Sequence, residues 1–296
     1  MIELYAYASR SIIGRRDHQE DACAFAVVEA LAPDQPGDVG WRETNKLLAV
    51  LADGMGGHVA GQCASTTACA TFVESYRSPA AMADLGDRLS DALRNSNEAI
   101  DRKVVADRAL SGMGCTLLAA VFDIRGLSWV NVGDSILYLY RDGTLDRLSD
   151  DHSMAPVLDD LARRGLMDPM EAVVSPRRHL LRSALTGREI ELIQQHDEVV
   201  TLRKGDWVIL ASDGLDTLSR SEIAGTLEEH AAGTADQVAQ ALVDDVEARN
   251  DPYQDNTTVM TIQPRFNGPD ETDAPIQGGE TSQTVRLTVR KKLASR

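Results

Sequence analysis

The sequence predicts an α+β fold in which antiparallel sheets are stacked and helices lie outside them. Three observations predict it. Short β-rich runs arrive in clusters rather than alternating one for one with helices. Turn signals of hairpin type separate several of them, with no βαβ spacing between. Two helix-length stretches follow the first strands, and two more precede the last.

Taken in order, residues 2–8 and 22–28 read as strands joined by the polar loop SRSIIGRRDHQED. Residues 46–52, KLLAVLA, form a short apolar run suited to a buried strand. It ends at DGMGGHVAG, a glycine-dense loop. From Val59 to Tyr76 small residues dominate, which suits a helix packed closely on a sheet. A second helix is predicted over 84–105, with Leu85, Leu89, Leu93 and Ile100 on one face. The period then changes. CTLLAAVFD, LSWVNVGD, SILYLYRDG and TLDRLSDD read as an antiparallel meander, with a hairpin signal at Asp142-Gly143. Residues 153–187 look helical and irregular, with Arg163, Arg164, Arg177, Arg178 and Arg182 among them. Strand character returns at 190–202 and 206–212, helices are predicted at 219–230 and 234–249, and 257–263 reads as a last strand. From about Arg265 the composition turns to Gly, Pro, Asp, Gln and Thr, so 266–296 is expected to be a mostly disordered tail. Within it, 284–290 alternates and is able to form a strand if something pairs with it.

The 296 residues suffice for a sizeable core, and with 43% hydrophobic and 26% charged residues the chain reads as soluble and globular. Aromatics are only 4%, so the core must rest on Ala, Val, Leu and Ile. A net charge of −16 argues against broad binding to nucleic acid or an anionic membrane. It does not exclude an anionic substrate, because bound cations invert the local sign of a site. The four cysteines, Cys23, Cys63, Cys69 and Cys115, fit no zinc spacing and read as small thiols in a reducing compartment. MIELYAYASR lacks a signal-peptide pattern and the apolar runs are too short to span a membrane, so a cytoplasmic protein is expected.

Chemistry is suggested by where certain acids stand. Asp53 follows the apolar run ending at Ala52, Asp134 follows WVNVG, Asp213 follows WVILAS, and Asp255 lies in the turn before the last strand. Any one of these is explained by the preference of Asp for turns. Together they can converge at one sheet edge, where clustered carboxylates repel unless they hold hard cations. Gly56 to Gly61 has the glycine spacing of a P-loop, but Gln62 and Cys63 follow where Lys and Ser/Thr are needed. A cysteine-based phosphatase needs Arg six residues after its nucleophile; those positions hold Glu29, Cys69, Ser75 and Val121. No G-x-S-x-G elbow occurs. Metal-activated water is left as the best nucleophile.

At this point the sequence resembles the protein phosphatase 2C family of metal-dependent phosphatases, in its bacterial form. The motifs run in family order: Arg16 with Glu20-Asp21; Asp53-Gly54-Met55-Gly56-Gly57-His58-Val59-Ala60-Gly61; Ser111-Gly112-Met113-Gly114-Cys115-Thr116; Gly133-Asp134-Ser135; Asp151-His152-Ser153; Ser212-Asp213-Gly214-Leu215; and Asp255-Asn256-Thr257-Thr258. The resemblance implies a four-layer α-β-β-α sandwich over 1–265, with a flap-like segment at about 153–187. It implies hydrolysis of phosphoserine and phosphothreonine by a water bridging two Mn²⁺ or Mg²⁺ ions. Asp53 would bridge both ions, Asp213 and Asp255 would complete one site, and the Gly54 carbonyl would contact the other. Glu20 and Asp21 would help directly or through waters. Arg16 would hold phosphate oxygens. Asp134 is the family ligand for a third ion; Asp216 stands one residue short of its usual partner position, which Thr217 fills. His58 is a candidate acid for the leaving oxygen, or else a loop histidine that orients Asp53 or a water.

The same resemblance implies phosphoprotein substrates, a cognate Ser/Thr kinase system and a monomer, with no nucleic-acid or membrane partner. The alternative is an inactive phosphatase-fold module that binds partners. Departures at Gln62, Cys115 and Ile136 read as packing or loop details.

Overall fold

The computed structural model describes residues 4–28, 46–57, 59–78 and 84–265. His58 and the 266–296 segment, including 284–290, therefore lie outside the described residues. The strands are β1 (Tyr5–Ile12), β2 (Ala22–Val28), β3 (Lys46–Ala52), β4 (Gly54–Met55), β5 (Gly114–Cys115), β6 (Leu117–Asp123), β7 (Gly126–Val132), β8 (Ile136–Arg141), β9 (Thr144–Arg147), β10 (Gln194–Val200), β11 (Trp207–Ala211) and β12 (Thr257–Pro264). The helices are α1 (Val59–Arg77), α2 (Leu85–Ala106), α3 (Ala155–Arg163), α4 (Pro169–Val174), α5 (Arg220–Glu229) and α6 (Ala235–Ala248).

Two five-stranded antiparallel sheets form, in the orders β1-β12-β11-β8-β9 and β10-β7-β6-β3-β2. The apolar strands alternate between two cores, as a period of two requires. In β3, Leu48, Val50 and Ala52 face the helical layer of α1 and α2, while Leu47, Ala49 and Leu51 face the other sheet. In β8, Leu137 and Leu139 join that inter-sheet core, while Ile136, Tyr138 and Tyr140 pack toward α5 and α6. Three apolar seams thus bind four layers, α-β-β-α, as expected.

The helices carry their own start signals. Ser219 with Glu222 and Thr234 with Gln237 form complete capping boxes for α5 and α6, and Asp84 caps α2 through the Asp87 N–H. On α1 the buried face is Gly61, Ala64, Ser65, Ala68, Cys69, Phe72 and Tyr76, small at the end nearest the glycine loop. That end lies very close to the strand beyond β3, since a Cβ on Gly54 would stand 2.3 Å from the Gly61 carbonyl oxygen. No helix among the described residues is long and apolar enough to cross a membrane.

Several expectations need correction. Among the described residues the first strand covers Tyr5–Ile12 and runs past the expected end at residue 8, because its polar half still pairs with β12, from Tyr5↔Pro264 to Ile12↔Thr257; residues 2 and 3 of the expected strand lie outside the described residues. The predicted meander is split. β6 and β7 pair in one sheet, while β8 and β9 pair in the other. The chain changes sheet at Gly133, whose φ of 110° an L side chain rarely adopts. The strand at 190–202 is confined to Gln194–Val200. The β8–β9 hairpin holds as read: Asp142 and Gly143 both have positive φ, the signature of a type I′ turn. All four cysteines are free; Cys69 and Cys115 are buried, while Cys23 and Cys63 are partly so.

Candidate metal centre

Strand register brings the predicted acids to one end of the sandwich. Ala22 pairs with Ala52, so Asp21 and Asp53 leave neighbouring strand ends together. Leu51 pairs with Leu118 and Leu117 with Val132, which sets Thr116 and the Gly133–Ser135 crossing beside Asp53. In the other sheet Ile136 pairs with Ala211, and Ala211 with Val259. Asp213 and Asp255 thereby come to the same end. Because the crossing joins β7 to β8 there, the two sheets deliver their acids to one cleft of about 670 Å³. Arg16, Glu20, Asp53, Gly54, Asp134, Asp213 and Asp255 all line it.

Local locks hold these groups in place. The Asp53 N–H donates to Thr116 Oγ1 at 2.9 Å, and the Thr116 N–H returns a bond to the Asp53 carbonyl at 2.9 Å. Thr116 Oγ1 also meets Ser135 Oγ at 2.8 Å. The His152 N–H donates to the Gly133 carbonyl, while its Nδ1 accepts from the Gly133 N–H. Asn256 ties the Arg16 loop down: its amide donates to the carbonyls of Ile13 and His18, and its Oδ1 accepts from the Glu20 N–H at 2.7 Å. Ser212 Oγ donates to Asp21 Oδ2 at 2.8 Å. The motif residues between the acids are thus the framework that aims them. Thr116→Val removes a buried acceptor at constant shape and is expected to lower stability by about 1–3 kcal/mol. Thermal melts check this; an unchanged midpoint would show that neither Asp53 nor Ser135 depends on the hydroxyl.

Electrostatics at this end are adverse without a cation. Burial first, then the charges of Asp21, Asp213, Asp134 and Asp255, push Asp53 well above the usual carboxylate range. Burial and the neighbouring acids raise Asp21 to about 6 and Asp213 to about 6, although hydrogen bonds from Thr258 and Ser212 pull Asp21 down. Asp134 rises to about 7, mainly by burial and then by Asp213 and Asp151. Asp21 Oδ1 and Asp213 Oδ1 are buried with no hydrogen-bond partner. Oxygen-only donors, two of them orphaned, fit a hard divalent cation. Among the described residues no three acidic, His or Cys side chains already close a coordination shell. Arg16 instead pairs with Asp255, and Asp53 shares a hydrogen bond with Asp213.

Glu20 reaches over α1, where a Cβ on Gly61 would meet its Oε2 at 1.9 Å. Asp216 lies in a short 3₁₀ turn, Asp213–Thr217; burial raises its pKa, against the charge of Arg147. Thr217 turns away to donate to Gln254 Oε1 at 2.7 Å. Sequence reasoning missed His179 and Arg188, which line the cleft. His179 is also close enough for its charge to lower Asp213 and Asp216. No motif marks either; both sit in the irregular stretch after α4. Of the arginines singled out there, Arg182 lines the cleft, whereas Arg163 and Arg164 pair with Asp160 and Arg178 with Asp159.

The family model described as Protein phosphatase 2C matches residues 34–249. The chain belongs to the protein phosphatase 2C family. Its residues Asp53, Asp134, Asp213 and Asp255 line one cleft at the end of the sandwich. The chain is 39% identical over 182 residues to the serine/threonine protein phosphatase PstP of Mycobacterium tuberculosis (strain CDC 1551 / Oshkosh), covering 61% of this chain and 34% of PstP. It is 29% identical over 232 residues to the serine/threonine phosphatase stp of Listeria monocytogenes serovar 1/2a, covering 77% of this chain and 88% of stp. The crystal structure of the PstP catalytic domain in complex with two manganese ions superposes with a TM-score of 0.65 at 32% identity, covering 88% of this chain and 97% of that one. The chain spans about a third of the length of the PstP relatives that it matches.

Proposed function

We propose that this chain is a metal-dependent protein serine/threonine phosphatase, hydrolysing phosphoserine and phosphothreonine in protein substrates. The observation that carries the reading is the convergence of Asp53, Asp134, Asp213 and Asp255, drawn from both sheets, around one open cleft with Arg16 on its wall, and with Asp21 near enough for its charge to act on Asp53. The two manganese ions of the related PstP domain support Mn²⁺ or Mg²⁺ as the cofactor.

Asp53, Asp213, Asp255 and Asp21, with Glu20 and the Gly54 carbonyl, would hold two ions, and Asp134 with Asp216 offers donors for a third. When bound, such ions lower the pKa of a water and neutralise charge growing on a transferring phosphoryl group. The residues of the chain do the rest. Thr116, backed by Ser135, holds the Asp53 backbone at the strand end from which its carboxylate projects. Arg16 is exposed and pairs with Asp255; its planar fork would suit two phosphate oxygens if that carboxylate held a cation. The leaving oxygen needs a proton, which His58 or the cleft-lining His179 is placed in sequence or space to give. A cognate Ser/Thr kinase, a monomeric state and a cytoplasmic site of action belong to the same proposal.

The test uses p-nitrophenyl phosphate and a phosphothreonine peptide with Mn²⁺ or EDTA. Activity should require metal. Arg16→Ala should lower kcat/KM by roughly 10- to 100-fold, the scale of about 1.5–3 kcal/mol for a hydrogen bond to a charged group. Metal-independent turnover, or full activity without Arg16, would refute the reading.

A further inference from the structure

The β8–β9 hairpin carries two arginines that are almost out of solvent. Arg141, which ends β8, is 12% exposed, and Arg147, which ends β9, is 14% exposed. They are satisfied in opposite ways. Arg141 meets Asp206 through two parallel bonds, Nε to Oδ1 at 2.8 Å and Nη2 to Oδ2 at 2.6 Å. Arg147 has no such partner. Among the described residues the one carboxylate within ion-pair reach is Asp151, and only at 4.0 Å. Its donors go to neutral oxygens instead: Nη2 to the Asp134 carbonyl at 2.7 Å and Nε to Ser149 Oγ at 3.4 Å. A guanidinium withdrawn from water with no close anion is costly, so something more diffuse must offset it.

The strong bond falls on a residue of the centre. Gly133, Asp134 and Ser135 make the crossing between the sheets, where no strand ladder satisfies their carbonyls. The end of β9 and the residues after it take them one by one. The His152 N–H holds the Gly133 carbonyl at 3.1 Å, Arg147 holds that of Asp134, and Ser149 Oγ holds that of Ser135 at 2.9 Å. Only the hold on Asp134 carries a charge, and the charge reaches past the carbonyl. Burial raises the carboxyls of Asp134 and Asp216; Arg147 draws both down, and at Asp216 it is the largest charge acting. The charges that act most on Asp53 and Asp213 are other acids and His179.

We infer that Arg147 is a positioning residue of the metal centre: tied to the Asp134 backbone, it sets a fixed positive charge behind Asp134 and Asp216 and so weakens the hold of that pair on a divalent cation. The Asp53, Asp213 and Asp255 side keeps its full attraction, while the Asp134 side fills only at higher free cation. A guanidinium stays charged at any working pH, so this bias is permanent. The inference rests on the metal-dependent reading above for the identity of the cation.

Calorimetry with Mn²⁺ and no substrate, on the full chain, tests it. The binding that Asp134→Asn removes defines the Asp134-dependent site. The Arg147→Gln amide can still donate to the Asp134 carbonyl, so this variant removes the charge and spares the tie. Its Asp134-dependent site should bind Mn²⁺ at least about fivefold tighter, the scale of one nearby charge in a partly solvated site. Arg147→Lys keeps the charge and should stay within about twofold of the native value. Combined with Asp134→Asn, Arg147→Gln should leave the remaining isotherm unchanged. An Asp134-dependent affinity that is equal or weaker in Arg147→Gln overturns the inference; an arginine that only braces the fold gives this result, with a lower melting midpoint in EDTA. So does the absence of such a site from both proteins, or a tightening that persists in Asp134→Asn. Should Arg147→Gln fail to fold, the native chain still decides: an Asp134-dependent site as tight as the site that Asp213→Asn removes overturns the inference. Absence of all Mn²⁺ binding, with no turnover of p-nitrophenyl phosphate, would instead strike at the phosphatase reading itself.

Discussion

Asp213→Asn is expected to reduce Mn²⁺-dependent turnover of p-nitrophenyl phosphate by at least about 10²- to 10³-fold, the scale of removing one preorganised electrostatic contact from a catalytic site. The amide keeps the shape of the carboxyl but not its charge, and a hard cation needs the charge. The variant should nonetheless fold. Asp213 is half-buried at the cleft wall, faces the charges of Asp255 and Asp216, and has one buried oxygen without a partner. Neutralising it removes repulsion from the metal-free protein. In EDTA its melting midpoint should therefore match or exceed that of the native chain. The stabilisation by Mn²⁺, about 2.7 kcal/mol at a hundredfold excess over Kd, should shrink or vanish. Full turnover in the variant, or an undiminished Mn²⁺ shift, would remove Asp213 from the centre.

The acids of this centre were legible because each stands directly at the end of an apolar strand. A strand end is a fixed point in space once the sheet pairs, and Ala22↔Ala52 with Ile136↔Ala211 does the gathering. The helices of the second half were legible for a local reason too, since Ser219-x-x-Glu222 and Thr234-x-x-Gln237 are capping boxes. The partition of the meander was not legible. β6, β7 and β8 are buried on both faces, so their composition does not tell which sheet each joins. That choice is made by partners more than sixty residues away, where β11 takes β8. The same long-range logic hid the role of Thr116 and Ser135, whose hydroxyls meet only after the sheets form. His179 and Arg188 were missed because the segment carrying them has no period; its place over the cleft comes from single backbone contacts such as Arg182 to His152.

In EDTA the chain is expected to lose stability as pH rises from about 4 to about 7. Burial and mutual repulsion raise Asp21 and Asp213 from 3.8 to about 6 and Asp134 from 3.8 to about 7. Between those values the folded chain binds more protons than the unfolded chain, so the slope of unfolding free energy with pH is negative. The contribution is complete below the unfolded pKa and is lost as pH climbs through the folded ones. Each net proton is worth about 1.4 kcal/mol per pH unit, or about 3–5 °C in a domain of this class. Asp123 acts in the opposite sense but elsewhere: burial pushes it up, hydrogen bonds from Arg125 outweigh that, and its share is lost only as pH falls below the usual carboxylate range. Saturating Mn²⁺ should flatten the slope, because cations take the place of the shared protons and binding releases them. Melts at pH 5, 6, 7 and 8 with EDTA or Mn²⁺ read the first effect. Calorimetry at pH 6 in two buffers of different ionisation enthalpy reads the second. A metal-free midpoint that rises from pH 5 to 7, or Mn²⁺ binding at pH 6 with no proton release, would mean that these carboxylates are not the groups that gather the cations.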